Sequence, residues 1–177
     1  MTPDDAWILT YTGRQFWPLN PRIEDVCLED IAHALSLLCR FTGHVHQFYS
    51  VAQHCVHASY LVPPRHALAA LLHDASEAYL CDIARPVKQS DLFAPYREAE
   101  RRLEEVIYER YGVDTIDLRA VQAADEILLQ TERRDLMPRG HWRIDHTKCL
   151  YDTIRPESPL EAEQAFLVRF KEVNSLV

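Results

Sequence analysis

His73 and Asp74 stand side by side in the run Ala67-Leu68-Ala69-Ala70-Leu71-Leu72-His73-Asp74-Ala75, whose other members are all apolar. Such a run predicts a helix bound for a core, where an ionised carboxylate costs several kcal/mol unless a partner compensates it. A cation ligated by these side chains would be such a partner. Glu77 follows Asp74 by three residues and His73 by four, so on a helix it neighbours both. His54 lies among Val51, Ala52, Cys55 and Ala58, and Asp125 falls on the face carrying Val121, Ala124 and Leu128. His54, His73, Asp74 and Asp125 thus form a set of two imidazoles and two carboxylates. That mixture suits one divalent transition metal, such as Mn, Co, Fe, Ni or Zn. With coordination positions left for water and a substrate oxygen, such an ion polarises a phosphoryl group and lowers the pKa of bound water. Glu77 is then expected to transfer a proton or to orient the attacking water.

The elements that must position these residues are mostly helical. Residues 28–41 carry apolar side chains at helical spacing (Leu28, Ile31, Ala32, Leu35, Leu38, Cys39). Ser50 and Gln53 read as a capping box, with Gln53 reaching back, that opens a helix running to about residue 61, before Pro63 and Pro64. A third helix is expected over 65–79. Residues 91–95 read as loop, and 96–111 as an amphipathic helix whose Arg97, Glu98, Arg101, Arg102, Glu104 and Glu105 form a solvated face. Gly112 ends it. Residues 117–137 form a further helix stopped by Pro138, 139–156 are mostly loop, and Ser158-Pro159-Leu160-Glu161 starts a last helix reaching about residue 174. Residues 6–20, with aromatic and β-branched side chains around Gly13, are expected to form a short hairpin. The expectation is an all-α single domain over residues 1–177, with its core in about 28–137. His33, His57, His66, His141 and His146 are read as structural or exposed.

Composition sets bounds. A chain of 177 residues fits one domain with a sizeable core. The net charge of −8 argues against a nucleic-acid polymer as partner, since such binding draws on basic residues. The acidic N-terminus argues against a signal peptide, and no apolar run is long enough to span a membrane. Five scattered cysteines without a C-x-x-C pair suggest reduced thiols and a cytoplasmic protein. Four glycines, none in a G-x-G-x-x-G or P-loop pattern, leave phosphate recognition to side chains or a metal.

His54, His73-Asp74 and Asp125 resemble the H…HD…D signature of the HD-domain metal-dependent phosphohydrolase superfamily. Arg40-Phe41, Gln53-His54, His73-Asp74-Ala75-Ser76-Glu77, Asp82-Ile83-Ala84-Arg85-Pro86-Val87-Lys88 and Gln122-Ala123-Ala124-Asp125 are similar, in this order, to the bacterial 5′-deoxynucleotidase branch, near the phage dATP triphosphohydrolases. The resemblance implies an HD-domain helical bundle, with His54, His73, Asp74 and Asp125 on the metal and Glu77 handling the proton or the water. It implies that Arg40 and Lys88 hold substrate phosphate, Phe41 packs on base or sugar, and Asp82 lies near the deoxyribose. It also implies a homo-oligomer. Two departures stand out: Gln53 replaces the usual Glu, and Phe41 the usual Trp. Residues 6–27 have no counterpart in that branch. Arg14, Phe16 and Trp17 there either cover a pocket or a subunit interface, or form a packed surface hairpin.

The function expected is hydrolysis of a phosphate from a deoxynucleotide: a dNMP in a 5′-deoxynucleotidase, or a dNTP in a triphosphohydrolase. A nucleotide-binding protein without catalysis and a structural helical module are the competing classes. Fold alone fixes none of them.

Overall fold

The computed structural model describes residues 6–141 and 143–175. The acidic stretch 1–5, read above against a leader, lies outside them. The described residues contain eight α-helices and one two-stranded antiparallel sheet, matching the all-α expectation with an N-terminal hairpin. The helices are α1 (Leu28–Leu37), α2 (Val51–Tyr60), α3 (Ala67–Leu72), α4 (Glu77–Leu80), α5 (Arg85–Lys88), α6 (Ala94–Tyr111), α7 (Arg119–Asp135) and α8 (Pro159–Asn174).

α2 is the hub. It packs against α1, α3, α7 and α8, and eight of its ten residues, Val51 through Val56, Ala58 and Ser59, are buried. Ser50 caps it by accepting the Gln53 amide at 3.1 Å. The Gln53 side chain does not reach back as a capping box requires. Its amide group spans outward instead, donating to the Arg155 carbonyl and accepting from the Glu157 amide, so it ties the chain leading into α8 onto α2. The box forms at Ser158 and Glu161, where α8 begins. Gly112 ends α6 with φ +66°, a conformation glycine adopts without a Cβ penalty.

The helix expected over 65–79 is three pieces: a 3₁₀ turn at Pro64–His66, then α3, then α4 beyond a tight turn over 73–76. In that turn the Ala75 and Glu77 amides reach back three residues, to Leu72 and Asp74. His73 explains the break, because its ring donates to the Ala70 carbonyl, which a continuing helix would offer to residue 74. The first helix stops at Leu37, where Cys39 pairs with Ser50 in an antiparallel bridge and the chain leaves on an excursion over 40–49. Phe41 and Thr42 both take φ of 55° at its start, an unfavourable conformation for such side chains. Residues 91–95 are not loop: a 3₁₀ turn covers Asp91–Phe93 and α6 starts at Ala94, with Pro95 in the first turn where its missing N–H is harmless.

The hairpin pairs Ile8 with Phe16 and Leu9 with Gln15. Two such pairs do not hold a hairpin in water. Phe16 does: it is fully buried and stacks on Tyr79 of α4, ring centroids 3.9 Å apart. Thr12 adds two hydrogen bonds to buried Asp30 of α1. The packed-hairpin reading therefore applies to Phe16. Truncating a buried aromatic costs about 3–5 kcal/mol, so Phe16→Ala is expected to lose that much in denaturant unfolding, whereas Leu9→Ala, at a side chain 68% exposed, should stay within about 0.5 kcal/mol of wild type.

Candidate metal centre

Three segments deliver the donors. His54 sits in the first turn of α2 and is fully buried. His73 and Asp74 come from the tight turn after α3, and Asp125 from α7. Nε2 of His54 lies 3.2 Å from Nε2 of His73, 3.3 Å from Asp125 Oδ1 and 3.7 Å from Asp74 Oδ2. His73 Nε2 is 3.3 Å from the same Asp74 oxygen. Ligands about 2.1 Å from an ion stand about 3.0 Å apart along an octahedral edge and about 3.4 Å along a tetrahedral one, so these separations match a coordination shell. The ligand atoms of His54, His73 and Asp74 all lie within 4.8 Å of one another. Asp125 joins that trio through His54.

Hydrogen bonds on the far side of each ring set the proton positions. His54 Nδ1 lies 2.6 Å from Glu132 Oε1, and His73 Nδ1 lies 2.8 Å from the Ala70 carbonyl oxygen. Both partners only accept, so both Nδ1 atoms carry the hydrogen and both Nε2 atoms turn a lone pair inward. Two lone pairs and two carboxylates facing one point repel unless a cation lies among them. Ring N–H groups held by a carboxylate and by a backbone carbonyl are also the usual support of metal-bound imidazoles. The residues present therefore fit a divalent metal.

Without a metal, a proton fills part of that role. Burial and the Arg40 charge oppose protonation of His54, but Glu132 and Asp125 outweigh them and push its pKa up to about 9. Burial alone would raise Asp74, yet His73, His54 and Arg40 bring it below the usual carboxylate range, and Asp125 is lowered chiefly by His54 in the same way. Glu77 goes the opposite way. It is 6% exposed, its Oε2 has no hydrogen-bond partner, and burial together with Asp74 and Asp82 raises it well above the ordinary value.

Glu132 is the residue that sequence reasoning missed. It is fully buried on α7, where its Oε1 takes the His54 ring and its Oε2 takes Nε and Nη2 of Arg40 at 3.2 and 3.1 Å. Its position was legible: it follows Asp125 by seven residues, two turns down the same helix face. Arg40 continues to Asp74 Oδ2 at 3.4 Å, so it links the two carboxylates that flank His54. Phe41 is half-buried beside it, with the guanidinium carbon 5.7 Å from the ring centre. Lys88 pairs with Glu100, and Arg85 reaches Asp125 Oδ2 at 3.6 Å. Asp82 is half-buried, and its pKa is raised by burial.

A cavity of about 210 Å³ opens beside the centre. His73, Asp74, Lys88, Arg97, Glu100 and Arg101 line it, with none of the lining residues apolar. Arg101 and Arg102 do form the expected surface pairs with Glu98 and Glu105. Arg97, Arg101 and Glu104 nevertheless face this cavity, which corrects the reading of them as a purely solvated face. The cause is α5, whose turn lies against α6 and walls off that stretch of it.

The chain is 45% identical over 177 residues to the uncharacterized protein YfdR of Escherichia coli K12, covering 97% of each chain. It is 33% identical over 184 residues to the uncharacterized protein RCAP_rcc00048 of Rhodobacter capsulatus, covering 93% of each. It belongs to the family these bacterial proteins represent. No protein-family model matches it.

Two outcomes follow from the geometry. Removing the Glu132 charge leaves Arg40 with Asp74 alone and weakens the hold on the His54 ring, so Glu132→Gln is expected to lose about 3–5 kcal/mol of stability and about 10–100-fold in affinity for Mn or Co measured by calorimetry. In metal-free protein the His54 pKa of about 9 exceeds the ordinary 6.5. Its contribution to stability is complete below pH 6.5 and is lost as pH rises through 9. Urea midpoints of the chelated protein should therefore drop between pH 6.5 and 9.5, and His54→Gln should lack that part of the slope; identical slopes in both proteins would contradict the assignment.

Proposed function

We propose that this protein is an HD-type, metal-dependent phosphohydrolase that releases phosphate from deoxynucleotides, with dNMP as its first substrate class, as in the 5′-deoxynucleotidases. One observation carries the reading. Two imidazole lone pairs and two carboxylates converge beside a cavity whose lining residues are all polar or charged, which suits a charged, hydrophilic group such as phosphate. His54, His73, Asp74 and Asp125 would hold the metal, which when bound supplies Lewis-acid polarisation of the phosphoryl group and a more acidic water.

The other residues supply position and protons. Burial and Asp74 raise the Glu77 carboxyl well above its ordinary value, which favours the protonated form and suits it to give a proton to the leaving oxygen. Glu132 fixes the His54 tautomer, and Arg40 holds Glu132 and Asp74 in register. Arg40 and Lys88, the phosphate ligands that the resemblance implies, are both ion-paired here, so phosphate would share them with Glu132, Asp74 and Glu100. Phe41 and Asp82 are the residues we assign to the base or sugar. A dNTP substrate is the second reading, favoured by the three cations, Lys88, Arg97 and Arg101, that line the cavity.

We place the activity in the cytoplasm and expect a homo-oligomer. All five cysteines are unbridged, no described helix is long and apolar enough to cross a membrane, and Trp7, Ile8, Leu9 and Tyr11 expose apolar surface on the hairpin.

The test is a panel of dNMPs, dNTPs and ribonucleotides, each with Mn, Co, Mg and Zn, with products separated by chromatography. Metal-dependent phosphate release is expected, and release undiminished by chelation would defeat the proposal. His73→Ala and Asp74→Ala should lose metal and activity together. Glu77→Gln should keep the metal and lose about 10²–10⁴-fold in kcat.

A further inference from the structure

Among the three cations lining the cavity, Arg97 alone has no carboxylate partner among the described residues. Lys88 is neutralised by Glu100, and Arg101 by Glu98 and Glu105. The acids of the cavity are engaged elsewhere: Asp74 with Arg40 and the two histidines, Glu100 with Lys88, and Glu104 with the Tyr108 hydroxyl. Arg97 is nonetheless held in place. Its Nη1 donates to the Lys88 and Ser90 carbonyls, at 2.6 and 2.7 Å, where the chain leaves α5. A guanidinium has five N–H donors, and these two bonds use the pair on Nη1. The Nε–H and the two hydrogens on Nη2 remain. Neither nitrogen is among the buried atoms left without a partner, so both reach solvent. Nε and Nη2 form the edge that matches two oxygens of a phosphate.

We propose that Arg97 is a phosphate-binding residue, gripping two oxygens of the ligand's phosphate through Nε and Nη2 while Nη1 stays on the backbone. The ligand class is a phosphate monoester, with a deoxynucleotide as the case that rests on the reading above. Arg97 is suited to this for three reasons. Its charge needs no breaking of an ion pair, its orientation is already fixed by two carbonyls, and it shares the cavity with His73 and Asp74. The second and third properties also separate it from Arg85, which is exposed and turned to Asp125.

Inorganic phosphate is the first probe, titrated calorimetrically into metal-loaded and metal-free protein. Arg97→Gln is expected to weaken phosphate at least 10-fold, Arg97→Lys to recover part of the loss, and Arg102→Gln, on the same helix but outside the cavity lining, to bind like wild type. Manganese affinity should be unchanged in all three, because Arg97 touches none of the four metal-site residues. With a nucleotide substrate, Arg97→Gln should raise KM by about 10–100-fold, more than it changes kcat. Should the variants fail to fold, phosphate is expected to shield Arg97 of the wild-type protein from an arginine-directed dicarbonyl reagent, read by peptide mapping. Wild-type phosphate affinity in Arg97→Gln, or no shielding of Arg97, overturns the proposal. Loss of nucleotide turnover with phosphate binding at Arg97 intact would fell the hydrolase reading and leave this one standing.

Discussion

The fully buried hydrogen bond between His54 and Glu132, backed by Arg40, is the interaction on which the centre depends. Each of the three groups would be costly to bury alone. Together they satisfy one another: Glu132 uses one oxygen for the imidazole and the other for the guanidinium, and Arg40 spends its remaining edge on Asp74. In a low-dielectric interior such a network is strong when complete and expensive when any member is missing. It also decides which nitrogen of His54 looks inward, so the ring is aimed by the fold before any ligand arrives.

The same setting separates two acids only three residues apart. Asp74 sees two imidazoles and a guanidinium and is pushed below the usual carboxylate range; Glu77 sees burial and two like charges and is pushed well above it. One short stretch of chain therefore carries a carboxyl pushed low and a carboxyl pushed high. The break after α3 brings together a different pair, His73 and Asp74, which as adjacent residues would diverge by about 100° on a regular helix and here meet at 3.3 Å.

Much of this was legible in the sequence. The placement of His54, His73, Asp74 and Asp125 followed from inward faces of separate helices, and the structure brings them together. Helix existence was clear wherever apolar spacing was regular, as in α1, α6 and α7. What stayed hidden depended on competition for particular hydrogen-bonding groups. No glycine or proline marks the turn at 73–76; a histidine taking a backbone carbonyl makes it. Gln53 had the right type for a capping box, but the Arg155–Glu157 segment, about a hundred residues away, claims its amide. Glu132 looked like one more charge on a helix rich in them, and only its spacing from Asp125 set it apart. Arg97 shares a face with residues that are solvated, and the packing of α5 decides otherwise.

The stack of Phe16 on Tyr79 also bears on how the chain assembles. The partner that holds the hairpin is sixty-three residues downstream, on the short helix that begins with Glu77. Closing that contact carries the entropy of a long loop, whereas the Thr12 bonds to Asp30 of α1 close a much shorter one. The hairpin is thus pinned twice, once locally to α1 and once across a long loop to the helix that carries Glu77.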